Sequence, residues 1–90
     1  MNNQIIKEIQ ITPVKPNKGL MGFCSFVLFD AIYCGSTAIF TRPDGSYRLV
    51  YPTKKVGDKD MNLFHPISKQ IGMHIKQEVI KKFKDVMNND

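Results

Sequence analysis

Residues 20–30 read LMGFCSFVLFD, and this stretch decides what kind of fold the chain can adopt. Written as a strand it is apolar on both parities, with Phe23, Val27 and Phe29 on one side and Leu20, Cys24, Phe26 and Leu28 on the other. A strand that buries both faces lies in the middle of a two-sided fold or is covered by another subunit. Upstream, IIKEIQIT (5–12) ends in the alternation Ile9-Gln10-Ile11-Thr12 of a half-buried strand. Between the two, VKPNKG (14–19) places Pro16, Asn17 and Gly19 where a turn needs a fixed φ and a residue tolerant of positive φ.

Downstream, a break at Asp30-Ala31 leads to a third strand, IYCGSTAIFT (32–41). TRPDGSY (41–47) is a turn: Pro43 presets φ, Asp44 favours the second central position, and Gly45 supplies the left-handed residue of a bulged hairpin. YRLVY (47–51) returns as strand four with Tyr47, Leu49 and Tyr51 on one face, and Pro52 ends it because it has no N–H for a ladder. From Ser68 the period changes. Ile71, Ile75, Val79, Phe83 and then Val86 or Met87 form one stripe of an amphipathic helix, with Pro66 and Ser68 as breaker and capping hydroxyl. The expected architecture is a single α+β domain: an antiparallel four-stranded meander over 4–52, a connection over 53–66, and a long C-terminal helix over 67–87. One helix covers one sheet face. The apolar residues on the other face point to a homodimer.

Ninety residues suffice for one domain with a thin core, and 42% hydrophobic content argues against wholesale disorder. No apolar run reaches the roughly 18 residues of a membrane span, and MNNQIIKEIQ lacks the order of a secretory signal, so the expected location is the cytoplasm. Cys24 and Cys34 lie ten apart without a second Cys/His cluster; reduced thiols are expected, with no disulfide, structural zinc or cofactor. Thirteen Lys/Arg against eight Asp/Glu give a net charge of +5, which favours polyanionic partners. The helical stretch holds Lys69, Lys76, Lys81, Lys82 and Lys84 against Glu78 and Asp85 only.

The stretch 51–67, YPTKKVGDKDMNLFHPI, puts two lysines at the end of the last expected strand. The connection is about fourteen residues long with no obvious element, and its apolar Met61, Leu63 and Phe64 suit packing against a partner subunit. Pro52-Thr53-Lys54-Lys55, then His65-Pro66-Ile67, then Ile75 and Val79 four apart, resemble the stage V sporulation protein G family of small bacterial regulators linked to septation and sporulation. The resemblance covers roughly residues 7–84 and is most specific from residue 47 onward. It implies a small dimeric sheet-plus-helix protein that binds DNA and RNA and adjusts gene expression, with the family's basic pair falling on Lys54 and Lys55. The front of the helix, SKQIGMHIKQ, departs from the family in lacking an arginine and carrying Gly72, Met73 and His74. The expected nucleic-acid-binding residues are Lys54, Lys55, Arg42, Arg48, Lys69 and Lys76, with Lys54 and Lys55 presented outward together by a loop.

Other chemistry is poorly supported. His65 beside Asp58 or Asp60 lacks a nucleophile motif, a Gly-rich phosphate loop or metal-ligand spacing, so no enzyme activity and no small-molecule substrate are expected. Tyr33, Tyr47 and Tyr51 have flat faces on which unpaired bases could stack, but packing on strand faces is the plainer role. The rival reading is a protein-interaction module whose lysines serve solubility alone.

Overall fold

The computed structural model describes residues 5–88. The expected start of the sheet at residue 4 and the last two residues of the MNND tail lie outside them. Four strands form one antiparallel sheet in chain order: β1 (Ile6–Asn17), β2 (Leu20–Leu28), β3 (Ile32–Thr41) and β4 (Tyr47–Val50). A second, two-stranded ribbon follows, β5 (Thr53–Val56) and β6 (Lys59–Asn62), and then the helix α1 (Lys69–Asn88). The α+β meander with one C-terminal helix is therefore the observed fold.

Turn chemistry sets the hairpins. Lys18 (φ 53°) and Gly19 (φ 91°) are both left-handed, the two-residue turn whose twist matches the flanking strands. β1 therefore runs on to Asn17 instead of ending at residue 12, and Pro13 and Pro16 are tolerated because β1 is an edge strand. Phe29 (φ 54°) and Asp30 (φ 56°) make the same kind of turn between β2 and β3, closed by the Ala31 N–H donating to the Leu28 carbonyl at 2.9 Å. At 42–46 the Gly45 N–H donates to the Arg42 carbonyl (2.9 Å) and the Arg42 N–H to the Ser46 carbonyl (2.8 Å), with Gly45 left-handed as its place in the turn requires. The Asp44 carboxylate accepts from the Ser46 hydroxyl and N–H, which favours its charged form and holds its pKa below the ordinary carboxylate value.

Register shifts tune which side chains face the helix. One shift, at Leu20/Gly22, sets Leu20 opposite Phe40 and Gly22 opposite Ile39. Leu20 therefore shares the Phe40 side, away from the helix, and not the side of Cys24 and Phe26 that simple alternation assigns. The core lies between the sheet and α1: Cys24, Phe26, Cys34 and Ile39 meet Ile75, Val79 and Phe83, all buried. Tyr47, Leu49 and Tyr51 pack on this cluster, as the β4 parity predicts, and Tyr47 sets its ring edge against Phe83 with centroids 5.7 Å apart. Val86 continues the helical stripe half-buried, while Met87 is exposed. No helix is long and apolar enough to cross a membrane among the described residues.

Both thiols are free and buried. Burial pushes the Cys24 thiol from 9.0 up to about 12 and the Tyr51 hydroxyl from 10.0 up to about 12. The native state thus keeps protons that the unfolded chain releases. The contribution of these two groups to stability is expected to be flat below about pH 9 and to fall as pH rises from there toward 12. Thermal melts from pH 8 to 11 measure this, and Cys24→Ala should flatten part of the slope.

The helix begins as its sequence dictates. The Ser68 hydroxyl accepts from the Ile71 N–H at 3.2 Å, which places Ser68 at the N-cap. Gly72 sits one turn in, and a Cβ there would meet only the Pro66 ring, at 3.4 Å and 3.7 Å. Gly72→Ala is expected to stabilise the protein by about 0.5–1 kcal/mol, because the helix gains propensity without a serious clash. Urea denaturation measures it; a loss of stability would mean that the Pro66 contact cannot yield.

The connection 53–66 is not without structure. Val56-Gly57-Asp58-Lys59 turns tightly with Gly57 left-handed (φ 64°), so β5 and β6 pair Thr53 with Asn62, Lys54 with Met61, Lys55 with Asp60 and Val56 with Lys59. The Leu63 N–H donates to the Pro52 carbonyl at 3.0 Å and closes the ribbon's root. Every residue from Thr53 to Leu63 is exposed, so the ribbon stands out from the body. Phe64 alone of the connection's three apolar residues named above turns in, with its ring edge on Tyr51 at 5.9 Å.

Candidate nucleic-acid interface

Strand geometry separates the adjacent lysines. Successive side chains of a strand point to opposite faces. Lys54 therefore shares a ribbon face with its partner Met61 and with the pair Val56–Lys59, while Lys55 shares the other with Asp60, Thr53 and Asn62. One face carries two lysines and no carboxylate; the other sets a lysine against an aspartate. The lysines that share a face are therefore Lys54 and Lys59, and the expectation that a loop presents Lys54 and Lys55 together is corrected. The one ion pair among the described residues joins Lys7 to Asp30 and leaves the ribbon lysines uninvolved.

The helix has two unlike flanks. At 3.6 residues per turn, Lys69, Lys76 and Lys84 lie on one side of the buried stripe and Glu78, Lys82 and Asp85 on the other. The first flank faces β4: Lys76, Lys81 and Lys84 line a groove of about 420 Å³ with Ser46 and Tyr47. Lys84 Nζ stands 5.6 Å from the centroid of the Tyr47 ring, a cation–π contact that holds the amine beside the β3–β4 turn. The second flank faces β1, where Glu78, Lys81, Lys82 and Asp85 surround Ile9.

These placements join up. The start of α1 adjoins the ribbon's root through Phe64 and Pro66, and its end reaches Tyr47 through Phe83. Lys69, Lys76 and Lys84 thus form a line from the ribbon to the turn that bears Arg42. From Lys69 to Lys84 the rise is about 22 Å, the span of about six phosphates on one strand. Of the residues expected at the site, Lys69 and Lys76 lie on this helical flank, Arg42 lies in the turn that leads into Tyr47, and Lys54 lies on the ribbon. Lys55 faces Asp60 instead. Arg48 lies on the sheet face opposite the helix, 5.6 Å over the Phe40 ring.

Two further features bear on chemistry. The His65 ring nitrogen Nδ1 is 3.2 Å from the Pro66 carbonyl, to which it donates when protonated there, at an exposed site just before the helix. Among the described residues no three His, Cys, Asp or Glu side chains gather as metal ligands would. An apolar groove of about 430 Å³ opens at one end of the sheet, lined by Phe29, Ile32, Tyr51, Phe64, Ile67 and Ile71 among others. Ile67 at its rim is 94% exposed. The chain matches no protein-family model and no curated protein.

Proposed function

We propose that this protein is a non-catalytic nucleic-acid-binding regulator that docks DNA and RNA on the cationic strip running from the ribbon face of Lys54 and Lys59 along Lys69, Lys76 and Lys84. The supporting observation is the segregation of charge: Glu78 and Asp85 lie on the other flank of α1, and Asp60 on the other ribbon face. Each lysine that meets a phosphate releases condensed counterions, so binding is driven by the strip as a whole. Phosphate contacts position the protein; base edges or duplex shape carry any sequence preference. The resemblance to the stage V sporulation protein G family supports the same reading, with a role in transcription regulation linked to septation, cell division and sporulation in a bacterial cytoplasm. The homodimer belongs to this proposal too. Its support is the apolar groove beside Ile67, which contact with a second copy would remove from water.

The second reading, a protein-interaction module without nucleic-acid binding, rests on that same groove. Mobility shifts with duplex DNA, single-stranded DNA and RNA across a salt series, run beside light-scattering mass, separate the two. The proposal expects a dimer mass and log–log weakening with salt. Absence of binding at low salt would hand the groove to a protein partner.

A further inference from the structure

The sheet face turned away from the helix carries a second set of aromatic rings that the cationic strip does not use. Cross-strand register places Thr12 beside Phe23, Gln10 beside Ser25, and Val27 beside Tyr33 on this face. Phe23 and Tyr33 line one shallow depression of about 380 Å³, with Gln10, Thr12, Ser25 and Ser36 between and around them. Phe23 is 40% exposed and Tyr33 72%, whereas Tyr47 and Tyr51 are packed on the core. Of the three tyrosines weighed as stacking residues, only Tyr33 has its ring in the open.

That ring is not loose. A Cβ on Gly35 would lie 3.1 Å from the Tyr33 Cε2 and 3.4 Å from its hydroxyl, so the ring leans over the bare glycine. Glycine at this position lets an aromatic lie against the strand with its other side toward solvent. Ser36, next in the chain, is left-handed (φ 55°) at the register shift between Cys24 and Phe26 partners, which fixes the local kink. Further along β3 the same face holds Phe40 with Arg48 over it. From Tyr33 to Phe40 the strand spans about 20 Å, room for about three nucleotides.

We infer that this open face binds unpaired nucleobases of a single-stranded nucleic acid, with Tyr33 and Phe23 as stacking platforms, Gln10, Thr12 and Ser25 as hydrogen-bonding groups, and Arg48 toward the phosphates. The inference rests on the nucleic-acid reading above and adds a second site to it. Open four-stranded sheets stack bases on surface aromatics in this manner, and stacking tolerates any base because each has a π face. A second copy of the chain suits this face less well. Polar side chains occupy the space between its rings, while the concentrated apolar surface lies at the Ile67 groove. Lys7, also on this side, is held by Asp30, while Arg48 stands over the Phe40 ring on the same face, where it can meet a backbone.

The test uses the full chain with fluorescein-labelled twelve-nucleotide dT and U strands and a DNA duplex, in about 100 mM salt. Tyr33→Ala is expected to weaken both single strands about tenfold, to leave the duplex unchanged, and to leave the light-scattering mass unchanged. Tyr33→Phe should bind as the parent does. Tyr33→Trp supplies an indole at the site whose emission should be quenched as the dT strand is added. Gly35→Ala, which pushes the ring off its seat, should lose part of the single-strand affinity while keeping duplex affinity. Equal loss on duplex and single strand, full retention by Tyr33→Ala, an unquenched indole, or a fall in mass would each overturn the inference. If duplex binding persists and is lost on Lys54→Glu with Lys59→Glu, such a result leaves the cationic strip standing. If the parent binds no probe, both fall.

Discussion

Reversing the charge of Lys54 and Lys59 together is expected to weaken duplex DNA binding about 50-fold or more per chain at 0.1 M salt. Each lysine on a phosphate contributes a factor that scales as the inverse 0.9 power of salt, and two such contacts at 0.1 M multiply to that size. The slope of log affinity against log salt should fall by about two per chain. Lys55→Glu, one residue away, should change that slope by less than about half a unit, because Lys55 stands on the opposite ribbon face across from Asp60. The contrast between the neighbours is the decisive measurement. If Lys55→Glu matches the double variant, charge near the ribbon matters but its faces do not. Circular dichroism controls for folding, which exposed substitutions on the ribbon should leave alone.

The largest loss of stability is expected at Phe26. Its side chain is fully buried in β2, in the cluster with Ile39, Ile75 and Val79. Truncation to alanine removes most of the ring's transfer free energy and leaves a void, together about 3–5 kcal/mol. A chain of this size has roughly 5–13 kcal/mol in total, so Phe26→Ala takes away a large share of the fold's margin. In a thermal melt that is a drop of roughly 15–30 °C. Phe23→Ala, three residues earlier on the open face, should cost far less because its ring already meets water. Similar losses at the two positions would mean that the outer face is buried in the folded state, as a covering subunit would make it.

Much of this architecture was legible in the residues. The stripe Ile71, Ile75, Val79 and Phe83 has only one periodicity, and Ser68 marks where it starts. Pro43-Asp44-Gly45 admits one kind of turn. The features that escaped reading have physical reasons. Glu8 and Ser36 adopt left-handed conformations at register shifts, and nothing in a non-glycine residue announces that. The ribbon is faint in the sequence because a hairpin exposed on both sides has no buried face to impose alternation; its one signal is Gly57-Asp58 between Val56 and Lys59. The same silence hides the placement of the lysines. Two adjacent charges look like one patch on a loop, and only strand pairing divides them. The helix's unlike flanks could have been found from helical angles alone, since Glu78 and Asp85 are seven residues apart and so share a side.

The long first strand has a consequence for self-association. β1 forms one margin of the sheet, and along it Pro13 and Pro16 offer no N–H while the Glu8 kink breaks the ladder. The other margin, β4, is only four residues long and is stopped by Pro52. Neither rim is a template on which a foreign strand can extend the sheet, which guards a small, half-open β layer against fibrous stacking. Whatever joins the four-stranded sheet must therefore do so through side chains.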